Sequence, residues 1–334
     1  MAKRQGTRTV ILENGVYIGS YSAVVGPKES DGPLGKYFDK TFQDEFLGQD
    51  SFEKAESKLQ QISVETTLRK ADLTPDGVNI IFAGDLLNQC IGSAYGLREM
   101  QIPFVGLYGA CSTMALGLIM ASTAVEAGSA EKAIAVTSSH FCSSERQFRF
   151  PLEYGGQRPP TAQWTVTGSG SVLLSQSLKG VKVNSYTIGK IVDLEITDMN
   201  NMGAAMAPAA ADTISSFLND TGTAASDYDL ILTGDLGFTG SDLLLQLLKR
   251  QNIILPNHND CGMMIFDRKR QDVHSGGSGC GCSASVLCSY VLQKMTAGKL
   301  KNVLFCATGA LMSPTACMQG ESIPSIAHLI HLSI

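Results

Sequence analysis

Positive charge is scarce in this chain. Its 334 residues hold 26 Lys and Arg against 31 Asp and Glu, a net charge of −5. That excludes the broad basic footprint by which proteins hold nucleic acid; an anionic small molecule would need a local basic cluster. Paired cysteine motifs are also missing. The nine cysteines are an odd number, and their spacing fits neither a zinc site nor a disulfide scaffold. Reduced thiols in a cytosolic-type compartment are expected, with no resident metal or cofactor. "MAKRQGTRTV" has no apolar segment of the kind that opens a secretory signal. No acidic run has the form of a calcium loop. The one long charge-free run, Met100 to Val125, is broken by Pro103 and by "GACST". It reads as a buried strand, a turn and a buried helix, not as a membrane span. With 44% hydrophobic and 17% charged residues, the composition is that of a globular protein with a large core.

What is present, first, is repetition. "GVNIIFAGDL" (77–86) matches "DYDLILTGDL" (227–236) at an offset of 150. "GACSTMALGLIMASTAVEAGSAEKAIAVTSS" (109–139) matches "GCGCSASVLCSYVLQKMTAGKLKNVLFCATG" (279–309) at an offset of 170. Each long copy reads as turn, helix, Gly stop and short apolar strand. The change of offset puts 20 extra residues within 237–278, for which "CGMMIFDRKRQDVHSG" predicts a hairpin. Helices are expected over Asp50–Ala71 and Ala204–Leu218. Strands alternating with helices imply largely parallel sheets covered by helices. The expectation is two α/β halves, 1–178 and 179–334, with the boundary near Ser177–Val181.

The copies differ where chemistry is expected. Cys111 opens the first repeated helix, and Gly281 stands in its place in the second. A thiol at a helix start feels the positive end of the dipole, which favours thiolate. After "TSSH" (137–140) the first copy inserts "HFCSSERQFRFPLEYGGQRPPTAQW" (140–164), with His140, Arg146, Arg149 and Arg158 among Phe141, Phe148, Phe150, Tyr154 and the sole tryptophan, Trp164. Arginine grips carboxylates bidentately and stacks on rings, so this loop suits a flat anionic ligand. His140 and His258 are both candidates to approach Cys111, and Asn88 could reach the same site. Lys28 and Lys36 are weaker candidates to hold an anion. Asp85 and Asp235, doubled in the two "GDL" motifs, read as structural. "TGSGS" (167–171) lacks the spacing of a phosphate-binding loop.

A duplicated α/β unit with "GACST" at the first helix start resembles the thiolase superfamily. That resemblance implies a five-layered αβαβα fold and a homodimer, and in the ketoacyl-synthase branch it makes the cysteine an acyl-carrying nucleophile. "GGSGCGCSA" (276–284) resembles the segment that carries a catalytic Gly-Asn pair there, but Gly277 stands where asparagine would. "ATGALMSP" (307–314) resembles the glycine loop near the oxyanion hole. A narrower resemblance runs almost end to end. "GPKESDGPLGKYFDKT", "AGDLLNQ", "ERQFRFPLEYGGQRP", "MAPAAADTI" and "IPSIAH" are similar to the stage V sporulation protein AD family. That likeness implies a non-enzymatic protein that binds dipicolinate, with or without calcium, for uptake into the developing spore. It would work beside membrane proteins of the same operon, peripherally at the inner spore membrane. Cys111, His140, Arg146, Arg149, Tyr154, Asn88 and His258 are then the expected ligand contacts. The alternative is a condensing enzyme or acyltransferase with Cys111 as nucleophile.

Overall fold

The computed structural model describes residues 2–148 and 157–334. Ten strands carry the architecture: β1 (Thr9–Val25), β2 (Ile80–Gly84), β3 (Phe104–Gly106), β4 (Lys132–Ser139), β5 (Gly168–Ser175), β6 (Val181–Thr187), β7 (Leu230–Thr233), β8 (His258–Asp260), β9 (Asn302–Ala310) and β10 (Ser325–Ser333). They are ordered β8-β7-β9-β10-β6-β1-β5-β4-β2-β3 in one hydrogen-bonded sheet. Read outward from the central β6–β1 pair, the two arms have the same order, so the sequence repeat is also a topological repeat. Parallel pairs lie toward both ends and antiparallel pairs toward the middle.

The main helices are α1 (Phe52–Lys70), α2 (Ile91–Leu97), α3 (Thr113–Glu126), α4 (Phe141–Phe148), α5 (Met202–Thr221), α6 (Gly237–Arg250), α7 (Cys280–Val286, continuing through a π turn to Thr296) and α8 (Pro314–Met318). α1 packs on the outer face of β1 and β5 and carries α2, while α5 packs on β9 and β10 and carries α6. α3 and α7 touch each other between the arms. α3 reaches β4 and β2 of its own half and β9 and β10 of the other. The result is a five-layered αβαβα arrangement. It explains the charge-free run: a helix packed between the two arms of the sheet is apolar on both faces it presents to them. Leu118 and Ile119 of α3 share one cluster with Val172 and Leu174 of β5 and with Phe305 and Ile330 of the other arm. The Gly stops are also real, since Gly128 (φ 73°) and Gly298 (φ 69°) both take the left-handed conformation after their helices.

One local expectation fails. The segment "CGMMIFDRKRQDVHSG" is not a hairpin. The Asp260 carboxylate accepts the Gly262 N–H at 2.9 Å and starts a short helix, Cys261–Met264. The chain then runs irregularly to Gly277–Ser278, which pair in parallel with Trp164–Thr165. Among the described residues, no helix is long and apolar enough to cross a membrane.

Candidate functional site around Cys111

Cys111 sits in the turn between β3 and α3. Ser112 Oγ donates to the Gly109 carbonyl and Thr113 Oγ1 to the Ala110 carbonyl, both at 2.6 Å. Those two hydroxyls hold Ala110 at φ 49°, left-handed and costly for a residue with a side chain. Gly309 of β9 lies against this turn; a Cβ there would collide with the Gly109 carbonyl. The "GACST" and "ATGA" motifs are therefore two sides of one close backbone approach.

Cys111 lines a small pocket with a cavity volume of about 30 Å³. Its walls are Leu86, Tyr108, Ala110, Phe148, Met202, Ala310 and Met312, with hydroxyls from Ser144, Thr165 and Ser278, and one acid, Glu145. The lining, apolar with a few converging polar groups, has the character of a small-ligand site.

The thiol's state overturns the sequence expectation. Burial, then the negative charge of Asp235 and the neighbouring Cys280, push Cys111 well above the ordinary thiol range. Desolvation outweighs the helix dipole, so the group is a neutral thiol at physiological pH. Asp235 is likewise no mere copy of Asp85. Asp85 turns inward on its own loop, accepting Leu87 N–H at 2.9 Å and Ser93 N–H at 2.7 Å. Asp235 accepts Thr308 Oγ1 at 2.7 Å, Gly279 N–H at 2.9 Å and Ser278 Oγ at 3.1 Å, and faces Cys111. Burial raises its carboxyl above the usual range, and those bonds oppose the rise. Cys280, not Gly277, is the group of its segment that packs on Cys111; Gly277 is held in strand pairing with Trp164.

The two histidines do not reach the thiol. His140 takes the Cys142 N–H on Nδ1 at 3.2 Å and donates from Nε2 to the Glu45 carbonyl at 2.7 Å. Its pKa is lowered by burial. His258 bonds Thr233 Oγ1 at 2.9 Å, and burial pushes it down to about 4. Arg146 does not line the pocket. It forms an ion pair with Glu53 and lies 5.8 Å from the Phe52 ring centre. Asn88 exchanges bonds with Gln147 of α4, at 3.2 and 3.3 Å, and so braces the pocket wall from behind. Lys28 sits over the Trp164 ring and Lys36 near Tyr37, both away from the pocket lining. Arg149, Phe150 and Tyr154 lie outside the described residues. The insertion does supply Ser144, Glu145 and Phe148, whose helical spacing was a readable sign of one common face. Met202, Met312 and Asp235 come from the second half and carried no local sign. Among the described residues, no cluster of three or more His, Cys, Asp or Glu could hold a metal.

The fold is that of the thiolase-like condensing enzymes. A 3-oxoacyl-[acyl-carrier-protein] synthase III from Aquifex aeolicus superposes with a TM-score of 0.59 at 11% identity, over 96% of this chain and all of that one. The tetronic acid condensing enzyme AbyA1 gives 0.61 at 15%, over 96% and 100%. Cerulenin-bound OleA from Xanthomonas campestris gives 0.61 at 12%, over 97% and 100%. Within that class the chain belongs to the stage V sporulation protein AD (SpoVAD) family, whose model matches residues 6–333. The stage V sporulation protein AD of Bacillus subtilis (strain 168) is 47% identical over 327 residues, covering 98% of this chain and 96% of that protein.

Proposed function

We propose that the Cys111 pocket binds dipicolinate, pyridine-2,6-dicarboxylate, and that the chain serves its uptake into the spore as a binding subunit. The observation that carries the non-enzymatic reading is the company Cys111 keeps. A working thiolate needs a base or a positive neighbour. Here the thiol faces a carboxyl group and a second thiol, and both candidate histidines are bonded elsewhere. The ligand class follows from the walls. Phe148, Tyr108 and the two methionines suit a flat ring, and Ser144, Thr165 and Ser278 offer donors to carboxylates.

Charge refines the reading. Glu145 at the wall, with the Asp235 carboxyl beside Cys111, disfavours a bare dianion. Calcium, a hard cation that takes carboxylate oxygens, cancels the ligand's charge when chelated, so calcium should strengthen binding. Arg149 and Tyr154, directly after the wall residue Phe148, remain proposed contacts. Peripheral association with the inner spore membrane, beside membrane proteins of the same operon, belongs to this reading.

The acyl-transfer reading keeps one supporting observation: Cys111 opens a buried helix against a glycine turn in a condensing-enzyme fold. Calorimetry separates the two. The protein is titrated with dipicolinate, with and without calcium, and with benzoate and an acyl-coenzyme A. Saturable heat from dipicolinate alone is expected. No dipicolinate heat, together with an acyl adduct on Cys111 by intact mass, would overturn the proposal.

A further inference from the structure

The second half carries a small lobe whose outer surface its own core does not explain. Residues 188–200 leave the end of β6 and run beside residues 311–325. Val192 and Ser325 exchange backbone bonds, both 2.8 Å, and Ile323 N–H reaches the Ile196 carbonyl at 2.7 Å. The Ser322 hydroxyl adds a bond to the Asp193 carboxylate. Val192, Ile196, Met199 and Cys317 turn inward and pack on the core beneath α5 and α6. Other residues of the two segments are apolar and turn outward: Ile188 is 47% exposed, Ile191 62%, Leu194 57% and Met318 81%. One exposed aliphatic is ordinary. Four, on two segments bonded to each other, mark an interaction surface.

The charge around the patch narrows the partner. Asp193, Glu195, Asp198 and Glu321 are all exposed there. The sole cation of 188–200, Lys190, is paired with Asp212 at 2.9 Å. An anionic lipid surface would be repelled by such a patch. A second copy, meeting it about a two-fold axis, would set acid against acid. A protein segment with apolar side chains flanked by Lys and Arg meets both features at once. Loops on the cytoplasmic side of integral membrane proteins have that composition.

We infer that the outward face of the 188–200/311–325 lobe docks a basic, apolar segment of a partner protein. The lobe is continuous in the chain with two residues of the Cys111 pocket. Residues 188–200 lead toward Met202, and Met312 is the second residue of 311–325; both methionines line the pocket. The inference does not depend on which ligand the pocket holds.

The test uses the full chain and a fluorescein-labelled amphipathic Leu/Lys peptide, with a Leu/Glu peptide of the same pattern as control. Saturable anisotropy is expected for the basic peptide only, weakening with salt. The double variant Ile191→Asp, Leu194→Asp should bind it roughly tenfold more weakly at an unchanged melting temperature. Ile254→Asp, 73% exposed outside the lobe, should bind as the parent does. Equal binding by parent and double variant, or preference for the acidic peptide, would overturn the inference. So would adsorption to phosphatidylserine vesicles, or self-association, that the double variant abolishes.

Discussion

The Asp235 carboxyl faces the Cys111 thiol. The carboxyl group comes from the end of β7 and the thiol from the start of α3, so the contact joins the two halves of the chain. Asp235 is one cause of the raised thiol pKa, after burial itself. Asp235→Asn should therefore lower the thiol pKa and speed alkylation of Cys111 several-fold at pH 8, read by mass spectrometry after iodoacetamide. The same change replaces a carboxylate that accepts bonds on both oxygens. It should cost about 1–3 kcal/mol of stability, seen in urea unfolding. Unchanged alkylation would show that burial alone sets the thiol's state.

Phe148 and Arg146 lie two residues apart on α4 and should behave oppositely. Phe148 lines the pocket, and its loss removes an aromatic wall. Phe148→Ala should weaken dipicolinate binding by roughly tenfold, about 1.4 kcal/mol. Arg146 is held by Glu53 on α1, so Arg146→Ala should leave affinity within a factor of about three. Arg149→Ala, in the proposed ligand-contacting segment, should weaken binding. If Arg146→Ala proved the most damaging of the three, the guanidinium would have to leave Glu53 for the ligand.

These contrasts show what could be read in the chain and what could not. The repeat was legible because turn glycines and apolar periods are local: Gly128 and Gly298 end their helices where the pattern says they must. The buried α3 was legible from its lack of charge. Partnerships across the fold were not. Arg146 and Glu53 lie 93 residues apart, and nothing near "ERQFRF" names the acid that holds its first arginine. Asp235 looked like a twin of Asp85 because the strands repeat, whereas its role comes from what the second half packs against. Met202 and Met312 reach the pocket through tertiary packing alone, as any methionine could.

The buried carboxyls give the protein a definite pH response. Burial pushes Glu29 up to about 8 and Asp260 up to about 7, and raises Glu56, beside Asp85, as well. Each prefers its neutral form in the fold. The stability this confers is fully present below the ordinary carboxyl value near 4 and is lost as pH rises through 7 to 8. The buried histidines have the opposite sign. His258, His328 and His331, lowered to about 4, contribute stability that is present above about 6.5 and lost as pH falls toward 4. Between pH 6.5 and 8 the histidine contribution is level, so the carboxyls should dominate. The melting temperature should fall across that window, and Glu29→Gln should make the slope shallower. A flat profile for the parent would mean these carboxyls are ionised or hydrated in the native state.

The edge strand β3 is where the proposed homodimer can be tested. Phe104, Val105 and Gly106 are all exposed, at one end of the sheet, with β2 as their only ladder partner among the described residues. An uncovered apolar edge is a template for another strand. Tyr108, two residues further and 47% exposed, lines the Cys111 pocket, so a partner at this edge would also shield one side of the site. The parent should sediment as a dimer at micromolar concentration. Val105→Lys, a charge of the kind that blunts natural edges, should sediment as a monomer. Its monomers should keep the fold by circular dichroism and bind dipicolinate more weakly, with Tyr108 left open to water. A monomeric parent, or a Val105→Lys chain that still dimerises, would place any self-association on another surface.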